Sequence, residues 1–168
     1  TDKRGNTTGY AYDDRGNVTI ITDTLNYTRT FAYDTRNNPT RETDPLGYTT
    51  VYTYDTSSNL VARADPLNSI TTWIYDSYGQ VLGATDARGS TTHYAYDAYG
   101  HRTVITDALG YATTFAYDIV GRKLSETDAL GRVITYTYDA ANHLLTVGEP
   151  LGKLTAYSYD PVGNRTAV

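Results

Sequence analysis

Thr106-Asp107-Ala108-Leu109-Gly110-Tyr111-Ala112-Thr113-Thr114-Phe115-Ala116-Tyr117-Asp118-Ile119-Val120-Gly121-Arg122-Lys123-Leu124-Ser125-Glu126 is one copy of a 21-residue unit. Two Asp-x-x-Gly tetrads divide it. Asp at the first position and Gly at the fourth is the signature of a type I turn. The carboxylate can accept backbone N–H groups ahead of it, and the Gly can take the left-handed conformation that closes a hairpin with a bulge. Between the turns lie segments of seven and six residues. The longer alternates aromatic with small residues, and this period of two is a strand signal. No period of 3.6 supports a helix.

The unit recurs without insertion or deletion. Its Tyr-Asp pair falls at Tyr12-Asp13, Tyr33-Asp34, Tyr54-Asp55, Tyr75-Asp76, Tyr96-Asp97, Tyr117-Asp118, Tyr138-Asp139 and Tyr159-Asp160, always 21 residues apart. The 168 residues are eight such units, so 1–168 reads as a single array. A fixed period of this length outranks any local motif. Of 16 tetrads, 15 begin with Asp and one with Glu149. The fourth position is Gly in 11, including Gly16, Gly100, Gly121 and Gly163, with Asn26, Asn37, Asn68, Asn142 and Ser58 in the rest. Asn tolerates positive φ better than most residues. Pro45, Pro66, Pro150 and Pro161 stand second, where their fixed φ suits the turn. Of 19 acidic residues, 16 thus head turns. Iteration predicts an all-β chain, a continuous antiparallel meander of 16 strands. Pro39 falls inside a predicted strand and should weaken pairing there.

Composition narrows the function classes. The net charge is -5, with 20% charged residues, which argues against nucleic acid as a partner. No apolar run is long enough to span a membrane. Cysteine is absent, which excludes disulfides and thiolate chemistry. The chain starts in phase, lacks an initiator Met and has no atypical end unit, so it reads as an excerpt of a longer array.

The chain closely resembles the RHS/YD-repeat family. The residues that carry this are Tyr117-Asp118-Ile119-Val120-Gly121-Arg122, Thr127-Asp128-Ala129-Leu130-Gly131-Arg132 and Thr135-Tyr136-Thr137-Tyr138-Asp139, repeated in phase through the whole length. That family includes bacterial polymorphic toxins, wall-associated proteins, shell components of insecticidal toxin complexes and teneurins. The resemblance implies a long β-ribbon that spirals into a hollow shell, enclosing a C-terminal effector in the toxins. It also implies an extracellular or cell-surface location. Asp160-Pro161-Val162-Gly163 looks like part of the family's self-cleavage motif, but it falls in phase as a repeat turn and belongs to the array. Equal units by themselves favour an open spiral or tube over a closed shell.

Candidate sites are weighed against plainer roles. Unit position 10 holds Tyr10, Phe31, Tyr52, Trp73, Tyr94, Phe115, Tyr136 and Tyr157; with the invariant Tyr at position 12 these are 16 of the 21 aromatics. They lie on one strand face. Their expected role is to pack as the buried side of a sheet wall, with other strands' side chains intercalated; the alternative is a stacking platform for surface glycan, as in adhesion. The turn carboxylates are expected to cap turns; calcium is the alternative, without the spacing of a known calcium loop. His93, His101 and His143 are expected to be solvated strand residues. No cofactor motif, metal cluster or catalytic set stands out, so the chain is expected not to be an enzyme. Asn6, Asn17, Asn26 and Asn164 fit glycosylation acceptors, a match expected by chance here. The expected role is a structural scaffold whose partners are neighbouring repeats, of the same chain or of identical chains. An isolated fragment should associate through its exposed end strands.

Overall fold

A computed structural model describes residues 7–168. The turn expected at Asp2 to Gly5 and the acceptor Asn6 lie outside the described residues. The chain divides into two compact units, Thr1–Ser90 and Thr91–Val168. The first holds β1 (Gly9–Tyr12), β2 (Val18–Thr22), β3 (Thr28–Tyr33), β4 (Pro39–Thr43), β5 (Thr49–Tyr54), β6 (Leu60–Ala64), β7 (Ile70–Tyr75) and β8 (Val81–Thr85). The second holds β9 (Thr91–Tyr96), β10 (Arg102–Thr106), β11 (Ala112–Tyr117), β12 (Lys123–Thr127), β13 (Val133–Tyr138), β14 (Leu144–Gly148) and β15 (Leu154–Ala156). It ends in the separate pair β16 (Ser158–Tyr159) and β17 (Arg165–Ala167). Within each unit the strands pair in sequence order as an antiparallel meander, β1 to β8 in the first and β9 to β15 in the second.

Three details differ from the sequence reading. The strands are six and five residues long, one shorter than expected. The lost residue, such as Tyr27 or Asn17, gives its N–H to the turn aspartate and so belongs to the turn. The described residues form 17 strands because the last long one breaks at Tyr157 into β15 and β16; the Tyr157 N–H still bonds the Leu145 carbonyl. Pro39 is accommodated as the first residue of β4, opposite Tyr33 where the register shifts, so its missing N–H falls where the ladder is already interrupted.

The two hairpins of each repeat are not alike. Across the turn that follows the Tyr-Asp pair, the register slips by one. Ala11 faces Ile20, but Tyr12 faces Val18, leaving Thr19 unpaired. The slip recurs at all eight such hairpins. Across the other turn the pairing runs without a shift, as in Ile20–Thr30, Ile21–Arg29 and Thr22–Thr28. A bulge of this kind bends one strand and increases local twist.

The expectation of a buried aromatic side needs correcting. Among the described residues there is no buried hydrophobic core; Tyr10 and Tyr12 are 56% and 60% exposed, and the later aromatics at unit positions 10 and 12 are half-buried. Within each unit the sheet has no second layer to cover either face, so burial there comes from neighbouring strands.

Candidate functional site

Every described turn aspartate is organised in one way. Its Oδ1 accepts the N–H groups two and four residues on: for Asp13, those of Arg15 (3.0 Å) and Asn17 (2.8 Å). All fourteen described aspartates that head turns do this. The backbone closes the turn with two more bonds, Asp13 N–H to the Asn17 carbonyl and Gly16 N–H to the Asp13 carbonyl. The fourth residue is left-handed throughout, from φ 59° at Asn68 to 90° at Gly163. This is the three-residue hairpin loop, a type I turn closed by a left-handed residue.

Glu149 is the exception that explains the rule. Its longer side chain bonds Lys153 Nζ (3.1 and 3.2 Å). With no Oδ1 to fix the N–H of the third residue, Leu151 flips to φ 71° and ψ 13°. That is the third-residue geometry of a type II turn.

The other carboxylate oxygen binds the residue at unit position 17. Asn17, Asn38, Asn59 and Asn164 donate their carboxamide N–H to Oδ2 of Asp13, Asp34, Asp55 and Asp160 at 2.9–3.0 Å. These four carboxyls are held below their usual value, first by that carboxamide bond. His101 and His143 place Nδ1 3.0 and 2.8 Å from Oδ2 of Asp97 and Asp139. Arg122 donates Nε–H to Asp118 at 2.6 Å.

Position 17 also reaches the next repeat. Asn17 donates to Asn37 Oδ1 (2.9 Å) and Asn38 to Ser58 Oγ (3.0 Å). His101 stacks on Tyr117 and His143 on Tyr159, with centroids 4.9 and 4.6 Å apart. A Cβ at Gly121 would lie 2.7 Å from His101 Nε2, so glycine there serves both backbone and ring. The solvated-strand reading is therefore wrong for His101 and His143, which are bridging turn residues. His93 is exposed on β9 as expected.

The invariant Tyr closes the same edge. Tyr33, Tyr75, Tyr117, Tyr138 and Tyr159 each donate O–H to the carbonyl 15 residues back, at Val18, Leu60, Arg102, Lys123 and Leu144 (2.8–3.1 Å). The acceptor residue lies beside the bulge, where the regular ladder with the following strand has ended. A hydroxyl at position 12 thus pairs a carbonyl that the bulge leaves without a strand partner. Position 10 has no such duty and accepts Phe31, Phe115 and Trp73. Intercalation between the aromatic rows does occur. The Lys123 ammonium lies 5.8 Å from the Phe115 ring centre and 4.7 Å from that of Tyr136, while Arg102 and Arg165 cover Tyr94 and Tyr157.

The residues of the Tyr-Asp pairs therefore meet their own turn and the next repeat. No group of three or more His, Asp or Glu among the described residues could hold a metal ion. No described helix is long and apolar enough to cross a membrane; this does not bear on a β-barrel. What the sequence reading missed is position 17. Its signal was present, since all eight copies carry Asn, Gln, His or Arg there.

Comparison with known proteins places this architecture. The teneurin YD-shell family matches residues 1–150, and the RHS repeat matches 138–168. The chain belongs to the teneurin YD-shell family, within the RHS/YD-repeat proteins, and is a structural β-scaffold of that type. Among curated proteins the comparison finds no match. Similar solved structures include the TcdB2-TccC3-Cdc42 complex (16% identity, TM-score 0.49) and TcdB2-TccC3 without its hypervariable C-terminal region (17%, 0.48). The Photorhabdus luminescens Tc holotoxin pore with a TccC3 mutation is another (18%, 0.39). In each case the match covers 94% of this chain and 12% of the other, so the chain spans about an eighth of their length.

Proposed function

We propose that residues 1–168 act as one non-catalytic array in a large secreted or cell-surface protein, as fibre material or as the wall of a hollow shell around an effector. The observation that carries this is the ladder along the Tyr-Asp edge. Hydroxyl, carboxylate and position-17 side chain are each bonded to the turn or to a neighbouring repeat, so the conserved chemistry of the unit holds repeats together. In the proposal the Tyr-Asp residues, with Gly16, Gly100, Gly121 and Gly163, are structural repeat residues. Electron cryomicroscopy of the parent assembly tests it. A hollow particle or a filament built from this sheet supports the reading; a compact enzyme domain with these repeats as an appendage refutes it.

One observation favours glycan binding as a second reading. A groove of about 480 Å³ is lined by Trp73, Tyr75 and Tyr78 together with Asp55, Asn59 and Asp76. Aromatic faces beside polar acceptors suit a sugar ring. Trp73→Ala should abolish binding on a glycan array while leaving the sheet intact; no binding by the unaltered chain removes this reading.

A further inference from the structure

Guanidinium groups tie several repeats to the next, turn to turn. Arg15 Nη1 donates to the Asp34 carbonyl at 2.7 Å. Arg36 Nη1 donates to the Asp55 carbonyl at 3.1 Å and to the Thr56 carbonyl. Arg122 Nη1 reaches the Asp139 carbonyl at 2.9 Å, with its guanidinium 5.0 Å from the Tyr138 ring centre. Each arginine takes the same feature of the following repeat, the aspartate carbonyl of the Tyr-Asp pair. That carbonyl already accepts the N–H of its turn's fourth residue and keeps a second lone pair.

The seam between the turns of Asp55 and Asp76, inside the first compact unit, has no such tie. The third turn residue is Arg15 and Arg36 in the two preceding repeats, and here it is Ser57. The asparagine bridge is lost as well. Asn17 and Asn38 bond the side chains of Asn37 and Ser58 in the next turn, whereas Asn59 faces Gly79, which has no side chain to accept. These two small residues stand on the groove of about 480 Å³, whose lining includes Trp73, Tyr75, Ser77 and Tyr78. It also carries two carboxylates, Asp55 and Asp76, and no basic residue. Tyr75 and Asp76 hold the unit positions at which Tyr138 and Asp139 receive Arg122. The carbonyls of Asp76 and Ser77 are the counterparts, one repeat on, of the two that hold Arg36.

We propose that this groove takes an arginine side chain of a partner polypeptide, which completes the seam as Arg36 completes the one before it. The planar fork reaches the Asp76 and Ser77 carbonyls together, and its face lies on the aromatic wall of Tyr75 and Trp73. The ammonium of lysine is a point charge without that plane. Sugar hydroxyls meet the same acceptors but bring no charge to the two carboxylates. The proposal goes beyond the scaffold reading and does not rest on it.

Trp73 is the chain's one tryptophan, so its fluorescence reports on the groove. The full chain is titrated with acetyl-Gly-Arg-Gly-amide, and with the same peptide carrying lysine or citrulline, the neutral isostere of arginine. The arginine peptide should give a saturable change, and the other two should bind at least about tenfold more weakly. Ser57→Arg should abolish the response, because the chain's own guanidinium then fills the seam. Its unfolding midpoint should hold or rise, since Arg15 and Arg36 already stand at this place. Arg36→Ser empties the preceding seam and should add a second peptide site by calorimetry. No response to the arginine peptide, equal binding of the citrulline peptide, a response that survives Ser57→Arg, or no added site in Arg36→Ser would overturn the proposal. A Trp73 response to neutral oligosaccharides alone would also overturn it and leave the groove to sugar. The scaffold reading stands in each case.

Discussion

The turns headed by Asp118 and Asp128 are neighbours in sequence and close on the same pair of backbone bonds. Each aspartate also takes Nε–H from an arginine four residues on, at 2.6 Å in both. Yet Arg122 goes further. Its Nη1 donates to the Asp139 carbonyl and to Asn142 Oδ1, both at 2.9 Å, and its guanidinium lies 5.0 Å from the Tyr138 ring centre. Arg132 closes on its own turn, and its side chain is 63% exposed against 28% for Arg122. The same residue in the same turn thus links repeats on one edge and faces solvent on the other. The difference lies in the hairpin. Across the Asp118 turn, Tyr117 slips to face Lys123 and Leu124 is left unpaired; across the Asp128 turn, the strands stay in step. The slip frees the Lys123 carbonyl, which Tyr138 takes, and brings ring and arginine together.

Acidification should break the comparison most severely, because it acts on many turns together. The carboxyls of Asp13, Asp34, Asp55 and Asp160 lie below the ordinary 3.8 in the folded chain, first through their asparagine partners. A lowered folded pKa means stability that is fully present above the unfolded value and is lost as pH falls through the folded one. Unfolding midpoints should therefore hold from neutral pH to roughly pH 5 and fall steadily below about pH 4. Linking repeats is the Tyr-Asp edge's property, so hydrogen exchange should rise there first. A midpoint that does not change down to about pH 2 would contradict this.

A pair of glycine replacements sharpens the contrast. Gly121 and Gly131 have φ of 85° and 77°, but only Gly121 has a ring above it. Gly131→Ala should cost about 1–2 kcal/mol from backbone strain alone. Gly121→Ala should cost more, and His101→Asn should recover the surplus. Equal losses in chemical denaturation would show that the stacked ring exerts no constraint.

A smaller effect separates the two aromatic rows. Tyr138→Phe removes the hydroxyl that pairs the Lys123 carbonyl and should cost about 1 kcal/mol. Tyr94→Phe, at the position where Phe31 and Phe115 already occur, should stay within about 0.5 kcal/mol. If both losses match, the hydroxyl does not explain why position 12 is always Tyr.

The smallest change is expected at the irregular turn. Glu149→Asp supplies an Oδ1 that can hold the N–H groups of residues 151 and 153, and should return Leu151 to negative φ. The gain should be a few tenths of a kcal/mol, at the low end for a side-chain cap. A Leu151 that keeps positive φ, read from backbone chemical shifts, would show that the proline and not the missing carboxylate sets this turn.

The sequence by itself determined the period, the hairpins and the backbone capping of the described turns that Asp heads. Asp at the head and Gly or Asn at the fourth place act over four residues, so local geometry settles them. It also placed the aromatics on one face, because strand alternation is local too. Only the tertiary structure decided what those rows and turns touch. The slip opposite Tyr12, the hydroxyl reaching 15 residues back and His101 lying over Gly121 depend on how one repeat lies against the next. That registry is set by strand pairing between segments, which the composition of one unit does not state.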